Sequence, residues 1–244
     1  VRGTFNMYDG TISGNQAQSG GGVYVYSNGT FTMEGGAISN NKAKVDYDSY
    51  GDGGGVYVHG GSFTMTGGTI SGNTAKKNGG GVYVDKNSFT MKGGTITNNT
   101  ANAAGGGVYM YSGSFTMYDG TITKNNAVRS TSGGYGGGVY NTGDFTMRGG
   151  SITGNHANIP GASYNIGGIS NRGTFLVSGK VTISGNDGSL VKIGDGTLTL
   201  TGDNTWTGTT DVNEGVLLVN GNQSAATGQV TVKSGATLGG NGII

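Results

Sequence analysis

One stretch recurs along this chain. GGGVYVHGGSFTMTGGTISGN, residues 53–73, returns as GGGVYVDKNSFTMKGGTITNN from Gly79 and as GGGVYMYSGSFTMYDGTITKN from Gly105, with further copies from Gly20 and Gly136. A half-copy, VRGTFNMYDGTISGN, occupies residues 1–15, and a faded copy, GGISNRGTFLVSG, starts at Gly167. Units of this length cannot bury an apolar face alone and must stack on their neighbours, so the repeat decides the fold class.

The phenylalanines set the period. Phe5, Phe31, Phe63, Phe89, Phe115, Phe145 and Phe175 stand 26, 32, 26, 26, 30 and 30 residues apart, and they are all seven Phe of the chain. Met7, Met33, Met65, Met91, Met117 and Met147, then Val177, follow two residues later. Ile12, Ile38, Ile70, Ile96, Ile122 and Ile152 form another column, and Ala17, Ala43, Ala75, Ala101, Ala127 and Ala157 a third. Each unit holds three short alternating runs (VYV, SFTM, TIS) between Gly- or Asn-bearing turns. Alternation means strands, and one residue type per column means stacking in register. The expected fold is all-β: a right-handed parallel β-helix with three short strands per coil of 26–32 residues. Its coils rise about 4.8 Å each, and the hand follows from the crossover preference of parallel strands.

Alternation also assigns faces. Val23, Val56, Val82, Val108 and Val139 are expected inside, with the Phe, Met and Ile columns. The column Asn15, Asn41, Asn73, Asn99, Asn125 and Asn155 suits turns, because Asn tolerates the left-handed conformation and stacked amides can bond from coil to coil. Length varies mainly between this Asn and the next glycine triplet, giving inserts at residues 42–52, 126–135 and 156–166. Insertions on one edge of a repeat array mark its binding edge, so they are expected on one longitudinal side, mobile and sparsely hydrogen-bonded.

Composition narrows the function. Gly is 55 of 244 residues without a collagen triplet, which fits turns that need positive φ or close approach between coils. A net charge of +1 with 11% charged residues gives no electrostatic case for nucleic acid. Zero Cys removes disulfides and thiolate metal sites, as suits a secreted chain that stays unfolded in transit. No hydrophobic run is long enough to span a membrane, and no signal peptide is visible. Val1 falls inside a repeat, so the chain reads as a fragment.

From about Asn186 the period dissolves, dividing a repeat array, residues 1–186, from a segment at residues 187–244. GDGTLTLTGDNTWTGTTDVNEGVLLVNG resembles the autotransporter-associated β-strand repeat, and VTVKSGATLGGNGII resembles the segment that commonly follows it. The upstream units resemble β-helix repeats of large bacterial surface proteins. Together the resemblances imply the passenger of an autotransporter-like protein, at the bacterial cell surface or beyond it, tethered to a membrane barrel. The segment exchanges Phe and Met for Leu198, Leu200, Val212, Leu217, Val219, Val230, Val232 and Leu238, and it contains Trp206. It is expected to continue the solenoid coaxially as the more stable end.

Four features invite a functional reading. Tyr24, Tyr57, Tyr83, Tyr109 and Tyr140 point outward as an aromatic strip that could meet sugars or a partner, although a self-stacking ladder explains them better. Beside them runs the row Tyr26, His59, Asp85, Tyr111, in which His59 and Asp85 could pair as acid and base. No nucleophile accompanies that pair, so surface decoration is the better account. Asp46, Asp48 and Asp52 loosely resemble a calcium loop but lack the closing Glu. Thr/Ser columns on two faces (Thr30-x-Thr32 to Ser114-x-Thr116, and Thr69-x-Ser71 to Ser151-x-Thr153) resemble an ice-binding array, yet Ser replaces Thr freely. The expectation is a structural and adhesive module, not an enzyme, with a protein or glycan receptor and no cofactor or metal. A carbohydrate-binding or carbohydrate-active β-helix and an ice-binding protein are the alternatives.

Overall fold

The computed structural model describes residues 1–44, 51–128, 134–157, 165–177, 181–184, 186, 190–192, 197–200, 209–224 and 228–244. Every strand pair is parallel, and like stacks on like. Phe5 pairs with Phe31, Phe31 with Phe63, and so on to Phe175, whose partner is Leu198, followed by Leu217 and Leu238. The rings lie face to face at 4.6–5.2 Å. From Phe31 to Phe175 they are fully buried, as expected of inward positions. The Met, Ile and first Val columns line the same core.

Three walls surround it. A 17-stranded sheet carries both the VYV and the SFTM runs, a seven-stranded sheet the TIS runs, and a six-stranded sheet two-residue strands such as Gln16–Ala17 and Thr74–Ala75. The Ala column is therefore a fourth strand of each complete coil, where the sequence suggested three. Among the described residues, no strand beyond Ser184 joins the last two walls. Leu190–Lys192, Thr197–Leu200, Thr210–Val212, Val216–Val219, Val230–Val232 and Thr237–Gly239 all extend the large sheet, with two strands per coil. Leu198, Leu200, Val212, Leu217 and Val219 are buried there, whereas Val232 and Leu238, in the last strands, are more than a third exposed. Trp206 lies outside the described residues.

The Asn column departs from its expected conformation. The left-handed residue is the one before it: Gly14, Asn40, Gly72, Asn98, Lys124 and Gly154 all have positive φ. The column Asn turns inward, and from Asn41 to Asn155 it is buried. Asn73 Nδ2 donates to Asn99 Oδ1 at 2.9 Å and to the Ile38 carbonyl at 2.9 Å, and the same pattern holds from Asn41 to Asn186. A buried polar column is stable because its donors and acceptors are met at every step.

The glycine triplets permit this closeness. Gly79 has φ +65 and lies against the Tyr83 side chain. A Cβ on Gly80 would stand 2.5 Å from the Gly106 carbonyl oxygen and 2.6 Å from the Thr100 carbonyl carbon, so only hydrogen fits where coils approach.

Candidate functional site

The VYV wall presents the outward tyrosines. Tyr24, Tyr57, Tyr83, Tyr109 and Tyr140 stack with ring centroids 4.8–5.0 Å apart and planes within 19°. Tyr83 is nearly buried between the rings of Tyr57 and Tyr109, and Tyr140, whose partner in the next coil is Ser170, is nearly buried at the end of the stack. The ring faces are thus occupied by one another. Burial pushes the phenols of Tyr57, Tyr83 and Tyr109 well above the ordinary value, with the charges of Asp85 beside Tyr57 and of Asp52 beside Tyr83 adding to it. Interaction with the Tyr140 side chain raises the Arg172 guanidinium above its ordinary value. Tyr135 approaches the same ring at 5.9 Å.

The expected pair forms. His59 Nδ1 donates to Asp85 Oδ2 at 2.6 Å. Its setting was not legible, since alternation places Asp85 opposite His59, whereas the backbone pairs Lys86 with His59 between two register shifts. Such irregularities re-aim side chains, here turning Asp85 onto the imidazole and Lys86 to solvent. They lie in Val56–Met65 and Val82–Met91, the two strands that run unbroken through both halves of the wall. The His59 ring sits 6.0–6.4 Å from Tyr24, Tyr26 and Tyr57. The Arg2 guanidinium lies 4.5 Å over Tyr26. Neither contact carries a motif, because the residues come from three different coils.

The other features separate. Asp46 and Asp48 lie outside the described residues, and Asp52 Oδ1 accepts the Asn78 backbone N–H at 3.0 Å. Among the described residues no three His, Cys, Asp or Glu converge on a metal position. The Thr/Ser columns are in register and half-buried, and Ser151 and Thr153 bond the hydroxyls of Thr121 and Thr123 in the coil before. The hydroxyls thus serve coil-to-coil cohesion.

Residues 45–50, 129–133 and 158–164, within the three inserts, lie outside the described residues, but the insert ends expected to be sparsely bonded are paired strands, among them Lys42–Ala43, Asn126–Ala127 and His156–Ala157. Their points of departure are described. Ala17, Ala43, Ala75, Ala101, Ala127 and Ala157 pair in one column, and the inserts leave after Ala43, Ala127 and Ala157. The returning strands Gly134–Tyr135 and Asn165–Ile166 pair with each other. Among the described residues one fully buried cation lies elsewhere. Lys192 continues the inward column of Asn141 and Asn171, and its Nζ donates to the Glu214 carbonyl at 3.4 Å.

Two family models match the chain. The right handed beta helix region covers residues 3–126, half of the chain, and the passenger-associated-transport-repeat covers residues 190–219. No curated protein and no solved structure matches it.

Proposed function

The chain belongs to the right-handed β-helix family and carries a passenger-associated transport repeat; on that premise we propose that it is an adhesive rod of a bacterial surface protein. It acts by presenting its edge to a host cell, a neighbouring cell or a matrix, and not by catalysis. The observation that carries this reading is the registered Ala column from Ala17 to Ala157, from which all three long inserts depart. A stack held by paired backbone, ring and amide ladders sets the spacing of their points of departure, three coils and then one coil apart along one side. The full protein is secreted and held at the outer membrane by a barrel.

The carbohydrate reading of the tyrosine strip loses support from the stacking itself. A sugar ring needs an open aromatic face, and these faces are filled. The hydroxyls bonded at the His59–Asp85 dyad, Ser27 Oγ and Ser112 Oγ, donate to the backbone carbonyls of His59 and Asp85 and not to the imidazole, which favours a binding role over catalysis.

The test is adhesion of the purified chain, coupled to beads, to cultured epithelial cells and to matrix proteins. A companion variant replaces each long insert with the short connection that follows Ala75. Adhesion by the parent chain and its loss in a variant with unchanged circular dichroism and melting temperature is expected. Absence of adhesion by the parent chain, or equal adhesion by both, overturns the reading.

A further inference from the structure

We propose that the outward row beside the tyrosine stack binds a sparsely charged acidic polysaccharide lying along the rod axis. The row is Arg2, Tyr26, His59, Lys86, Tyr111, Thr142 and Arg172, one position per coil. It uses a different edge from the inserts and rests on the adhesive reading only in needing this face open to the medium.

Charge and rings alternate along the row. Arg2, Lys86 and Arg172 are exposed cations three coils apart, or about 14 Å at the coil spacing of parallel strands. Between them stand Tyr26, 42% exposed, and Tyr111, 56% exposed, with the imidazole of His59. Unlike the stacked tyrosines, Tyr111 makes no ring contact among the described residues, so its face is open to the flat side of a sugar. Arg2 is held over Tyr26, and the backbone of Arg172 is fixed by its N–H bond to the Asn141 carbonyl. Both guanidinium groups keep further N–H donors for carboxylate oxygens. Two carboxylates border the row: Asp85, whose Oδ2 is engaged by His59 Nδ1, beside Lys86, and Glu214, near Arg172. The His59–Asp85 bond leaves His59 Nε2 for a hydroxyl.

Pre-organisation strengthens the case. Ser112 Oγ donates to the Asp85 carbonyl at 2.6 Å, Thr142 Oγ1 to the Tyr111 carbonyl at 2.6 Å, and Asn87 Nδ2 to the Gly60 carbonyl. Loop backbones tied from coil to coil lose little freedom when a ligand settles on them. The spacing of the cations selects among anionic polymers. A chain with one carboxylate every two or three sugars matches rings separated by isolated cations. A polymer charged at every unit presents anions where this row has rings, and it gains little.

The experiment is calorimetric titration of the whole chain with three oligosaccharides of equal length. The first alternates uronic acid with N-acetylated hexosamine, the second is neutral, and the third is sulfated at every sugar. Binding of the first at least about tenfold tighter than either of the others is expected. Tyr111→Ala and Lys86→Glu should each weaken it about tenfold, and both sites are exposed, so circular dichroism should not change. Lys124→Glu, at a turn of the TIS wall, should leave it unaltered. Equal binding of the neutral oligosaccharide, preference for the sulfated one, insensitivity to Tyr111→Ala, or no binding at all overturns the proposal. Because the insert-shortened variant retains this row, it should bind the first oligosaccharide normally even where bead adhesion is lost.

Discussion

Asn99 Oδ1 accepts two hydrogen bonds from Asn73, one from the backbone N–H at 3.0 Å and one from the side-chain amide at 2.9 Å. One oxygen thus fixes both the backbone and the side chain of the preceding coil, and the relation repeats through the core.

Asn99→Ala removes that acceptor and also the amide donor to the Ile70 carbonyl. Several buried polar groups lose partners at about 1–3 kcal/mol each, so a loss of about 4 kcal/mol is expected. Asn15→Ala, at the exposed end of the ladder, should cost less than about 1 kcal/mol. Urea unfolding of the two variants gives the comparison, and equal losses would show that the ladder is not the stabilising element.

Phe89 stacks at 4.8 Å on Phe63 and at 4.7 Å on Phe115. Phe89→Ala should cost about 3–5 kcal/mol through lost transfer energy and a cavity. In a quasi-one-dimensional array the damage stays local. Hydrogen exchange should therefore accelerate in the coils of Phe63, Phe89 and Phe115 before those of Phe31 and Phe175.

Much of this architecture was legible. Columns of a single residue type name their own register, and alternation places Phe, Met, Ile and Val inside. What escaped reading has physical causes. A two-residue strand such as Thr74–Ala75 is too short to show a period. Backbone tolerance points the Asn column to turns, but the glycine or polar residue before it takes the left-handed turn and frees Asn for the core. Parity points Tyr83 outward, and its burial comes from neighbouring rings and not from the core. The His59–Asp85 contact was readable from coil alignment, whereas the register shifts that put Lys86 opposite His59 leave no trace in composition.

Burial raises Asp52, against the lowering effect of the Asn78 hydrogen bonds and the Lys77 charge. With the folded pKa above the unfolded one, its contribution to stability is full below the unfolded value and lost as pH rises through the folded value. Asp52→Asn keeps an acceptor for the Asn78 N–H and removes the buried charge. The variant should melt higher than the parent at pH 7, with the gap closing below pH of about 4. A constant gap at both pH values would contradict the assignment.

The phenols of Tyr57, Tyr83 and Tyr109 are raised in the same sense. In the unfolded chain they ionise near pH of about 10, while the fold keeps them protonated. Stability is therefore full below that pH and falls above it, with up to three more protons bound by the folded than by the unfolded chain. Denaturant titrations between pH 9 and 11 should show this slope, and Tyr83→Phe should make it shallower.

Gly80→Ala and Gly3→Ala separate close approach from mere loop preference. The first drives a Cβ into the backbones of Gly106 and Thr100, and should cost about 3 kcal/mol or prevent folding. The second meets nothing within 4 Å and should change stability by less than about 0.5 kcal/mol. Thermal melts suffice to compare them.

Coil-on-coil stacking has a mechanical side. Tension along the axis loads the backbone and Asn bonds between neighbouring coils, and an end coil peels away before the next one feels the full load. A 26-residue coil occupies about 4.8 Å of rod while stacked and reaches about 90 Å when drawn out. If the rod is the adhesive proposed above, a cell held through it in flowing liquid gains length stepwise, and each released coil lowers the force on the attachment.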